Sequence, residues 1–326
     1  MRRVLITVCA LVAVAGAGST ALAQGDLAAR GGLEGELSVA APSWDACEGA
    51  HGRGKYLLGR YEKNLAVVEV GASSAPELAK LWAHARPGGT PVAWPGGRIG
   101  VRHLDNPHSF AAATPLASAG RLYVWENQNG WGNTLAQITG VELAKSLCNA
   151  GNLVVYLVLR FEQPGEGYLI ASVTPPQSSD AIPVLADPPK EVMNKLYASI
   201  LERLHLGLKA QKLAPSQVTL SVLPGHFTGA EALEYTVSLR WANTFDDRFS
   251  LVCLADQTGT ITRVVDRQEG GAGGLAVEVA DVDGTGGVGA QDLIYELTTL
   301  DGSSAALWSL KGGKVSPLVQ TTPVGD

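Results

Sequence analysis

The C-terminal part of the chain alternates apolar and polar residues with a period of two, and no other pattern constrains the fold as strongly. After Pro215, eight short segments of this kind occur: 218–222, 233–241, 249–254, 261–265, 275–279, 293–297, 305–310 and 314–319. Turn-forming residues such as Asp301-Gly302 and Gly312-Gly313 separate them. Short alternating segments divided by turns are typical of strands joined to their neighbours. We therefore predict an antiparallel β-meander.

A helix is predicted immediately before this region. Apolar residues recur every three or four positions after Asp187-Pro188-Pro189, which is a typical helix start. They are Met193, Leu196, Tyr197, Ile200, Leu204 and Leu208. The stretch at 175–189 is rich in Pro, Ser and Asp, and we interpret it as a linker. Residues 190–326 then form a domain of one helix and an antiparallel β-meander.

The region before the linker has a mixed pattern. Strands are predicted at 33–39, 65–70, 99–104 and 121–125, and helical spacing predicts helices at 75–85 and 137–147. Segments 153–161 and 168–173 flank Pro164-Gly165-Glu166-Gly167, which predicts a hairpin. Residues 33–174 are therefore expected to form a mixed α/β domain. The predicted fold class is α+β.

The first 23 residues have the features of a signal peptide. Arg2 and Arg3 precede a long apolar run, and Ala21 and Ala23 supply the small side chains that signal peptidase requires. We expect export to the periplasm or the medium, with cleavage before Gln24. Residues 24–32 are then a flexible leader. The remaining 326 − 23 = 303 residues fit about two domains.

Charge and hydropathy narrow the range of partners. The formal net charge is −6, and removal of Arg2 and Arg3 takes it to about −8. Because phosphate binding needs clustered Lys or Arg, we expect no nucleic acid partner. After residue 24, no apolar stretch is long enough to span a bilayer, so no transmembrane anchor is expected after cleavage. An envelope component, a glycan or a protein remains as the expected partner.

The segment Ala280-Asp281-Val282-Asp283-Gly284-Thr285-Gly286, followed by Asp292-Leu293, contains the clearest motif. It resembles the D-x-D-G-x-G…D-L loop of FG-GAP/VCBS-type repeats, in a single copy that covers roughly a fifth of the chain. Thr285 replaces the commonest third Asp of that loop, and three additional residues precede the closing Asp292. In that family the loop links strands and often holds calcium.

The resemblance implies a Ca²⁺ site in which Asp281, Asp283, Thr285 and Asp292 supply oxygen ligands. Ca²⁺ is bound by six to eight oxygen atoms from carboxylates, carbonyls and water. Without an ion, the same residues are an Asp/Gly turn held by hydrogen bonds between side chains and the backbone. Both interpretations stay open at this point.

A possible carbohydrate contact lies at Trp125, Glu126 and Trp131, within Tyr123-Val124-Trp125-Glu126-Asn127-Gln128-Asn129-Gly130-Trp131. Aromatic faces together with amides and a carboxylate are common in sugar sites. The alternative is that Tyr123 and Trp125 pack on one sheet face and that the amides form an ordinary turn.

Three cysteines remain after the predicted cleavage: Cys47, Cys148 and Cys253. Cys253 alternates with Phe249 and Leu251, which predicts a buried free thiol. Export permits disulfides, so we predict a bridge between Cys47 and Cys148. Three reduced, buried cysteines are the alternative.

The chain lacks the G-x-S-x-G, Walker A and H-E-x-x-H motifs. We therefore predict an exported non-catalytic binding or structural protein. A hydrolase acting on a carbohydrate or an envelope polymer is the alternative. Its first candidate residues are Glu126, His103, Asp105 and His108, and the last three also raise the question of a metal site. A structural partner of a larger envelope complex is a third possibility.

Overall fold

The computed structural model describes the larger part of the chain after residue 54. The described residues are 55–94, 98, 100–127, 131–149, 151–175, 185–207, 218–229, 231–242, 248–270, 273–282, 290–299 and 302–323. The predicted signal peptide, the leader and the strand at 33–39 lie outside them.

Most of the described chain is β-structure. The strands are β1 (Leu57–Ser73), β2 (Arg86–Pro87), β3 (Arg102–Leu104), β4 (Arg121–Asn127), β5 (Trp131–Lys145), β6 (Leu153–Ser172), β7 (Val218–Gly225), β8 (Glu234–Ala242), β9 (Arg248–Asp256), β10 (Ile261–Gly270), β11 (Gly273–Ala280), β12 (Asp292–Thr299), β13 (Gly302–Ser309) and β14 (Ser316–Gln320). The helices are α1 (Pro76–His84), α2 (Phe110–Ala113) and α3 (Lys190–Gly207). Among the described residues, no helix combines the length and the apolar character needed to cross a membrane.

The strands form three antiparallel sheets. The first sheet has the strand order β1-β6-β4-β5-β3-β2. The other two are four-stranded, with the orders β10-β9-β8-β7 and β11-β12-β13-β14, so consecutive strands are neighbours in both. This arrangement confirms the predicted antiparallel meander and the eight strands that compose it. The predicted helices at 75–85 and after residue 189 are also confirmed, as α1 and α3.

The helix predicted at 137–147 is wrong, because these residues belong to β5. A bulge lies between Ile138 and Gly140, where the pairing with β6 shifts. The inserted residue puts Ile138, Val141 and Leu143 on one face, where all three contact the same apolar cluster. An extra residue therefore changes the spacing of two that a strand has into a spacing of three, which resembles a helix.

The hairpin predicted around Pro164 is also wrong. β1 pairs Lys63 with Gly165 and then Leu65 with Arg160, so the single residue Asn64 lies opposite residues 161–164. Both halves of β6 pair with the same strand, so the turn-forming residues bend the chain without reversing it. β1 bends together with β6. The bend brings Gly59 so close to Val67 of the same strand that an added Cβ atom would lie 2.5 Å from the Val67 carbonyl oxygen. Only glycine permits this close approach.

The sheets stack on one another. The β11–β14 sheet packs Ile294 and Leu307 against Trp125 and Ile170 of the six-stranded sheet. Its opposite face packs on the β7–β10 sheet through another cluster, whose members include Leu293, Tyr295, Trp308, Val252 and Leu254. The β11–β14 sheet is therefore covered on both faces, and the regions before and after the predicted linker share a core.

Helices cover the outer faces of this stack. Leu196 and Ile200 of α3 are fully buried in a cluster with Val237, Leu239 and other residues of the β7–β10 sheet. On the other side, Leu78 of α1 belongs to the apolar cluster of the six-stranded sheet. Two members of the predicted apolar stripe, Leu196 and Ile200, thus lie on the buried face of α3.

Buried serines accept hydrogen bonds from backbone N–H groups on the edge of β11 that has no neighbouring strand. The Gly274 N–H donates to Ser250 Oγ at 2.7 Å, and the Ala276 N–H donates to Ser238 Oγ at 3.2 Å. Both serines belong to the β7–β10 sheet and are fully buried. Their hydroxyls therefore replace a neighbouring strand along this edge.

Candidate functional site

A row of five ionisable side chains crosses the six-stranded sheet. Arg86 of β2 pairs with His103 of β3, and His103 pairs with Glu142 of β5. Glu142 pairs with Tyr156 of β6, and Tyr156 pairs with Glu69 of β1. Because directly opposed residues of antiparallel strands place their side chains on one face, these five form a continuous line, which we call the ionisable row.

Exposure falls sharply from the outer end of the ionisable row to its inner residues. The Arg86 side chain is 67% exposed and that of His103 is 26% exposed, whereas the Glu142 side chain is fully buried. Tyr156 is fully buried and Glu69 is 4% exposed. The row therefore leads from solvent into the interior.

Glu142 is held from all sides by its neighbours. Its Oε2 accepts a hydrogen bond from Arg98 Nη1 at 2.5 Å. Its Oε1 accepts from the Thr90 hydroxyl at 2.7 Å and from the Thr90 backbone N–H. Arg98 also donates to the Thr90 carbonyl at 2.6 Å. The buried carboxylate is thus neutralised by one guanidinium and has both oxygens engaged, as a buried charge requires.

The inner end of the row contacts the C-terminal segment. The backbone N–H and the hydroxyl of Thr322 both donate to Glu69 Oε1 at 2.7 Å. Burial raises the pKa of the Glu69 carboxyl to about 8, although these two hydrogen bonds act in the opposite direction. Glu69 is therefore mostly protonated at neutral pH.

Tyr156 lies between the two glutamates of the row. Burial and the nearby Glu69 carboxyl hold the pKa of its hydroxyl well above the usual value, and the positive charge of Arg98 opposes this. The Trp94 ring packs edge-on against Tyr156 at 5.5 Å. The buried atoms Glu69 Oε2, Tyr156 Oη, Arg98 Nε and Trp94 Nε1 have no hydrogen-bond partner among the described residues. Ordered water is the usual partner of such groups.

An open groove of about 370 Å³ lies at the outer end of the row. Its lining residues are Arg86, Pro87, Gly88, Gly89, Thr90, His103 and Glu142. His103 Nδ1 lies 3.7 Å from Glu142 Oε1, so this edge of the ring faces the carboxylate and Nε2 lies on the other side of the ring. At the rim, Arg86 forms an ion pair with the exposed Asp105 at 3.2 Å. The groove can therefore offer an imidazole and a guanidinium side by side.

The residues of the predicted carbohydrate contact are placed differently. Trp125 is 4% exposed and packs edge-on against Tyr56 at 6.2 Å, so its indole offers no face to a sugar. Its position matches the alternative, in which Tyr123 and Trp125 pack on one sheet face. The side chains of Glu126 and Trp131 are not among those that the structure describes.

The predicted ligands of the aspartate loop lie partly within the described chain. Asp281 is 5% exposed and Asp292 is 3% exposed, and both lie at the base of the loop. Asp292 Oδ2 accepts a hydrogen bond from the Val282 N–H at 3.1 Å. Asp283 and Thr285 lie outside the described residues.

His103, Asp105 and His108 do not converge. His103 faces Glu142, Asp105 pairs with Arg86, and His108 is exposed in a short 3₁₀ turn. No group of three or more His, Cys, Asp or Glu side chains suited to a metal occurs in the part of the chain that the structure describes.

The cysteines differ in their chemical state. Cys253 is a buried free thiol, which confirms the prediction, and burial raises its pKa to about 12. Cys148 is disulfide-bonded. Because Cys253 is free, the partner of Cys148 lies outside the described residues, and its pairing with Cys47 stays a prediction.

The sequence patterns predict a candidate role for His103 but not for Glu69, Glu142 or Arg98. A signal for the two glutamates was present. Glu69 interrupts the apolar run Leu65-Ala66-Val67-Val68, and Glu142 lies between Val141 and Leu143. A carboxylate within an apolar strand marks a buried polar site whenever both faces of that strand are covered.

The comparisons with known proteins do not extend this description. No protein-family model matches the chain, and neither the curated proteins nor the solved structures yield a significant match. The function is therefore inferred from the geometry of the site.

Proposed function

We propose that the protein is an exported, non-catalytic binding or structural protein, and that the groove is its binding surface. The state of Glu142 carries this proposal. Glu142 is the carboxylate among the groove-lining residues, and Arg98 and Thr90 engage both of its oxygens. General acid-base catalysis needs a group that exchanges protons with the substrate. A carboxylate held in this way orients its neighbours instead.

Export is supported by two observations. The first 23 residues have the composition of a signal peptide. Cys148 is disulfide-bonded, and disulfides persist mainly in oxidising compartments. An exported binding protein meets envelope components, glycans and other proteins, so we propose a partner from these classes.

Residues 24–326 are expected to bind an envelope polymer without cleaving it. Co-sedimentation with insoluble cell-wall polymer should remove the protein from solution, while the release of reducing ends stays at the level of the buffer control. The exposed Arg121 offers a matched control, because Arg121→Gln removes one positive charge at a residue that does not line the groove and should leave sedimentation unchanged. Absence of sedimentation with every polymer tested would contradict a role in polymer binding.

The pair formed by His103 and Glu142 favours a hydrolase as the second candidate. A carboxylate beside an imidazole is a common arrangement for a general base. If the polymer is cleaved and His103→Gln abolishes the cleavage, the enzyme is established and the non-catalytic proposal fails.

A calcium-stabilised loop is the second part of the proposal. The carboxylates of Asp281 and Asp292 suit a hard cation, and both are buried at the base of the loop. With Asp283 and Thr285 they would hold Ca²⁺. The ion would act on loop stability and not on chemistry at the groove.

Calcium is expected to raise the melting temperature of the protein, because an ion that binds the folded chain stabilises it by mass action. Calorimetric titration should give a single site, and Asp281→Asn with Asp292→Asn should abolish both the heat and the shift. Magnesium serves as the control ion, since it demands a tighter octahedral shell. No heat and no shift at millimolar calcium would contradict the site.

The finer organisation also stays a proposal. A mixed α/β domain over residues 33–174 and a helix-led β domain over residues 190–326 agree with the composition change at 175–189. The apolar cluster that contains both Trp125 and Leu307 implies that such domains would be tightly packed against each other.

A further inference from the structure

We infer that the groove binds an oxyanion, a carboxylate or phosphoryl group, between Arg86 and His103. The inference rests on the proposed binding role of the groove and specifies the class of ligand. Both side chains line the groove, and they are directly opposed on β2 and β3, so they lie on one face of the sheet. Arg86 donates from its guanidinium, and His103 donates from Nε2 when both ring nitrogens carry protons, because Nδ1 faces Glu142. Two nitrogen donors on one face can hold two oxygens of the same group.

The charge of the groove supports an anion and not a cation. The negative charge of Glu142 is offset by Arg98, whose side chain is 4% exposed and lies behind it. The Arg86 side chain lines the groove and is 67% exposed, so its positive charge is accessible from solvent. A hard cation would need carboxylate oxygens that are accessible, whereas those of Glu142 already accept hydrogen bonds from Arg98 and Thr90.

Asp105 shows where an anionic oxygen lies at Arg86. Its Oδ1 is 3.2 Å from Arg86 Nη2, and its side chain is 60% exposed. Because exposed ion pairs are weak, a ligand can displace this carboxylate at little cost. Asp105 is therefore a competitor from the same chain, and its removal should favour the ligand.

The position of His103 is fixed from two sides. Glu142 Oε1 lies 3.7 Å from Nδ1, and the ring edge packs so closely over Gly140 that a Cβ there would lie 2.7 Å from Cε1. A donor held in place loses little entropy when it binds, which favours recognition of a small group. His103 is therefore a specificity-determining residue for the anion.

The test is a titration of residues 24–326 with inorganic phosphate, acetate and a neutral methyl glycoside, followed by NMR. Phosphate or acetate should shift the signals of His103 and residues 86–90, and the neutral glycoside should not. Arg86→Gln and His103→Gln should each weaken binding by about tenfold, as expected for a lost charged hydrogen bond. Asp105→Asn should strengthen it by about threefold, the effect of removing an exposed ion pair.

Two controls separate this site from general charge effects. Arg121→Gln removes an exposed arginine elsewhere, and His108→Gln removes an exposed histidine outside the groove, so both should leave the affinity unchanged. Saturation by phosphate but not acetate identifies a phosphoryl ligand, and the reverse identifies a carboxylate.

Failure of the inference is distinguishable from failure of the proposed function. If neither anion shifts the groove signals while an envelope polymer still sediments the protein, the oxyanion site is wrong and the binding role survives. Equal weakening by Arg86→Gln and by Arg121→Gln would show that only net charge matters, which also overturns the site. Calcium-induced shifts at His103 would show a cation site instead.

Discussion

Replacing Gly274 with alanine is expected to lower the free energy of unfolding by about 4 kcal/mol, the sum of overpacking and a broken buried hydrogen bond. An added Cβ would lie 1.4 Å from the Tyr295 hydroxyl oxygen and 1.9 Å from Cζ. The phenol ring therefore lies directly over this glycine, and it must move to admit even one methyl group.

Tyr295 has little freedom to move. It is fully buried, its ring stacks on Trp308 at 3.9 Å, and its hydroxyl donates to Asp266 Oδ2. Burial raises the pKa of the Asp266 carboxyl, and the hydrogen bond from Tyr295 offsets part of that penalty. A displaced ring would leave this carboxylate without its tyrosine partner between two sheets.

Urea unfolding of the wild type, Gly274→Ala, Tyr295→Ala and the double variant measures the effect. In the Tyr295→Ala background the alanine has room, so its cost should fall to about 1 kcal/mol or less, a clear non-additivity. Tyr295→Phe retains the ring, so Gly274→Ala should still lower the free energy of unfolding strongly in that background. A Gly274→Ala variant within about 0.5 kcal/mol of wild type would show that the ring does not occupy this position.

Glu69→Gln is expected to stabilise the protein at neutral pH by about 3 kcal/mol, an order-of-magnitude value from the shift in pKa. Burial raises the pKa of Glu69 from 4.5 to about 8. Between these values the folded state holds a proton that the unfolded chain has lost. The wild type therefore loses stability as pH rises from about 4.5, and the loss is complete above about 8. Glutamine does not titrate and avoids this loss.

The amide preserves the geometry of the contact. Its oxygen can accept both hydrogen bonds from Thr322, as Oε1 does in the wild type. The amide nitrogen takes the place of Oε2, which has no partner among the described residues. The N–H groups of that nitrogen lack hydrogen-bond partners there, and this reduces the gain in stability.

Unfolding by urea at pH 5, 6, 7 and 8 tests this expectation. The stability difference between variant and wild type should be small at the lowest pH and grow through the series. Glu162→Gln changes an exposed carboxyl and is the matched control, with no pH-dependent difference expected. A constant difference for Glu69→Gln at every pH would show that Glu69 is ionised in the folded state.

Local patterns predicted the β7–β14 region well, because each strand there pairs with a strand adjacent to it in sequence, although the register shifts in three of these pairings. They failed where the six-stranded sheet is irregular. The bulge after Ile138 changes the spacing of the apolar residues in β5. The bend at Asn64 places the turn-forming residues Pro164 and Gly165 inside β6. Bulges and corners depend on the partner strand, which a local pattern does not contain.

The candidate site was less predictable for a related reason. Glu69, Glu142 and His103 are distant in sequence and meet only through the strand order β1-β6-β4-β5-β3 and the additional pairing of β5 with β6. The sequence predicts a candidate role for His103 beside Asp105 and His108, but it predicts that the partner of His103, Glu142, lies in a helix. By contrast, the Asp281 loop carries a contiguous motif, so its candidate ligands could be named without knowledge of the sheets.

The serine hydroxyls along β11 have a consequence for biogenesis. Ser238 and Ser250 precede β11 in the chain, so the strands of the β7–β10 sheet emerge before the strand that they shield, from the ribosome and from an export channel alike. The earlier sheet can therefore protect the later strand while the chain emerges. Without the β7–β10 sheet, the backbone N–H groups on this edge of β11 would have no partner in the same chain. They could then pair with strands of other molecules, which leads to amyloid-like association.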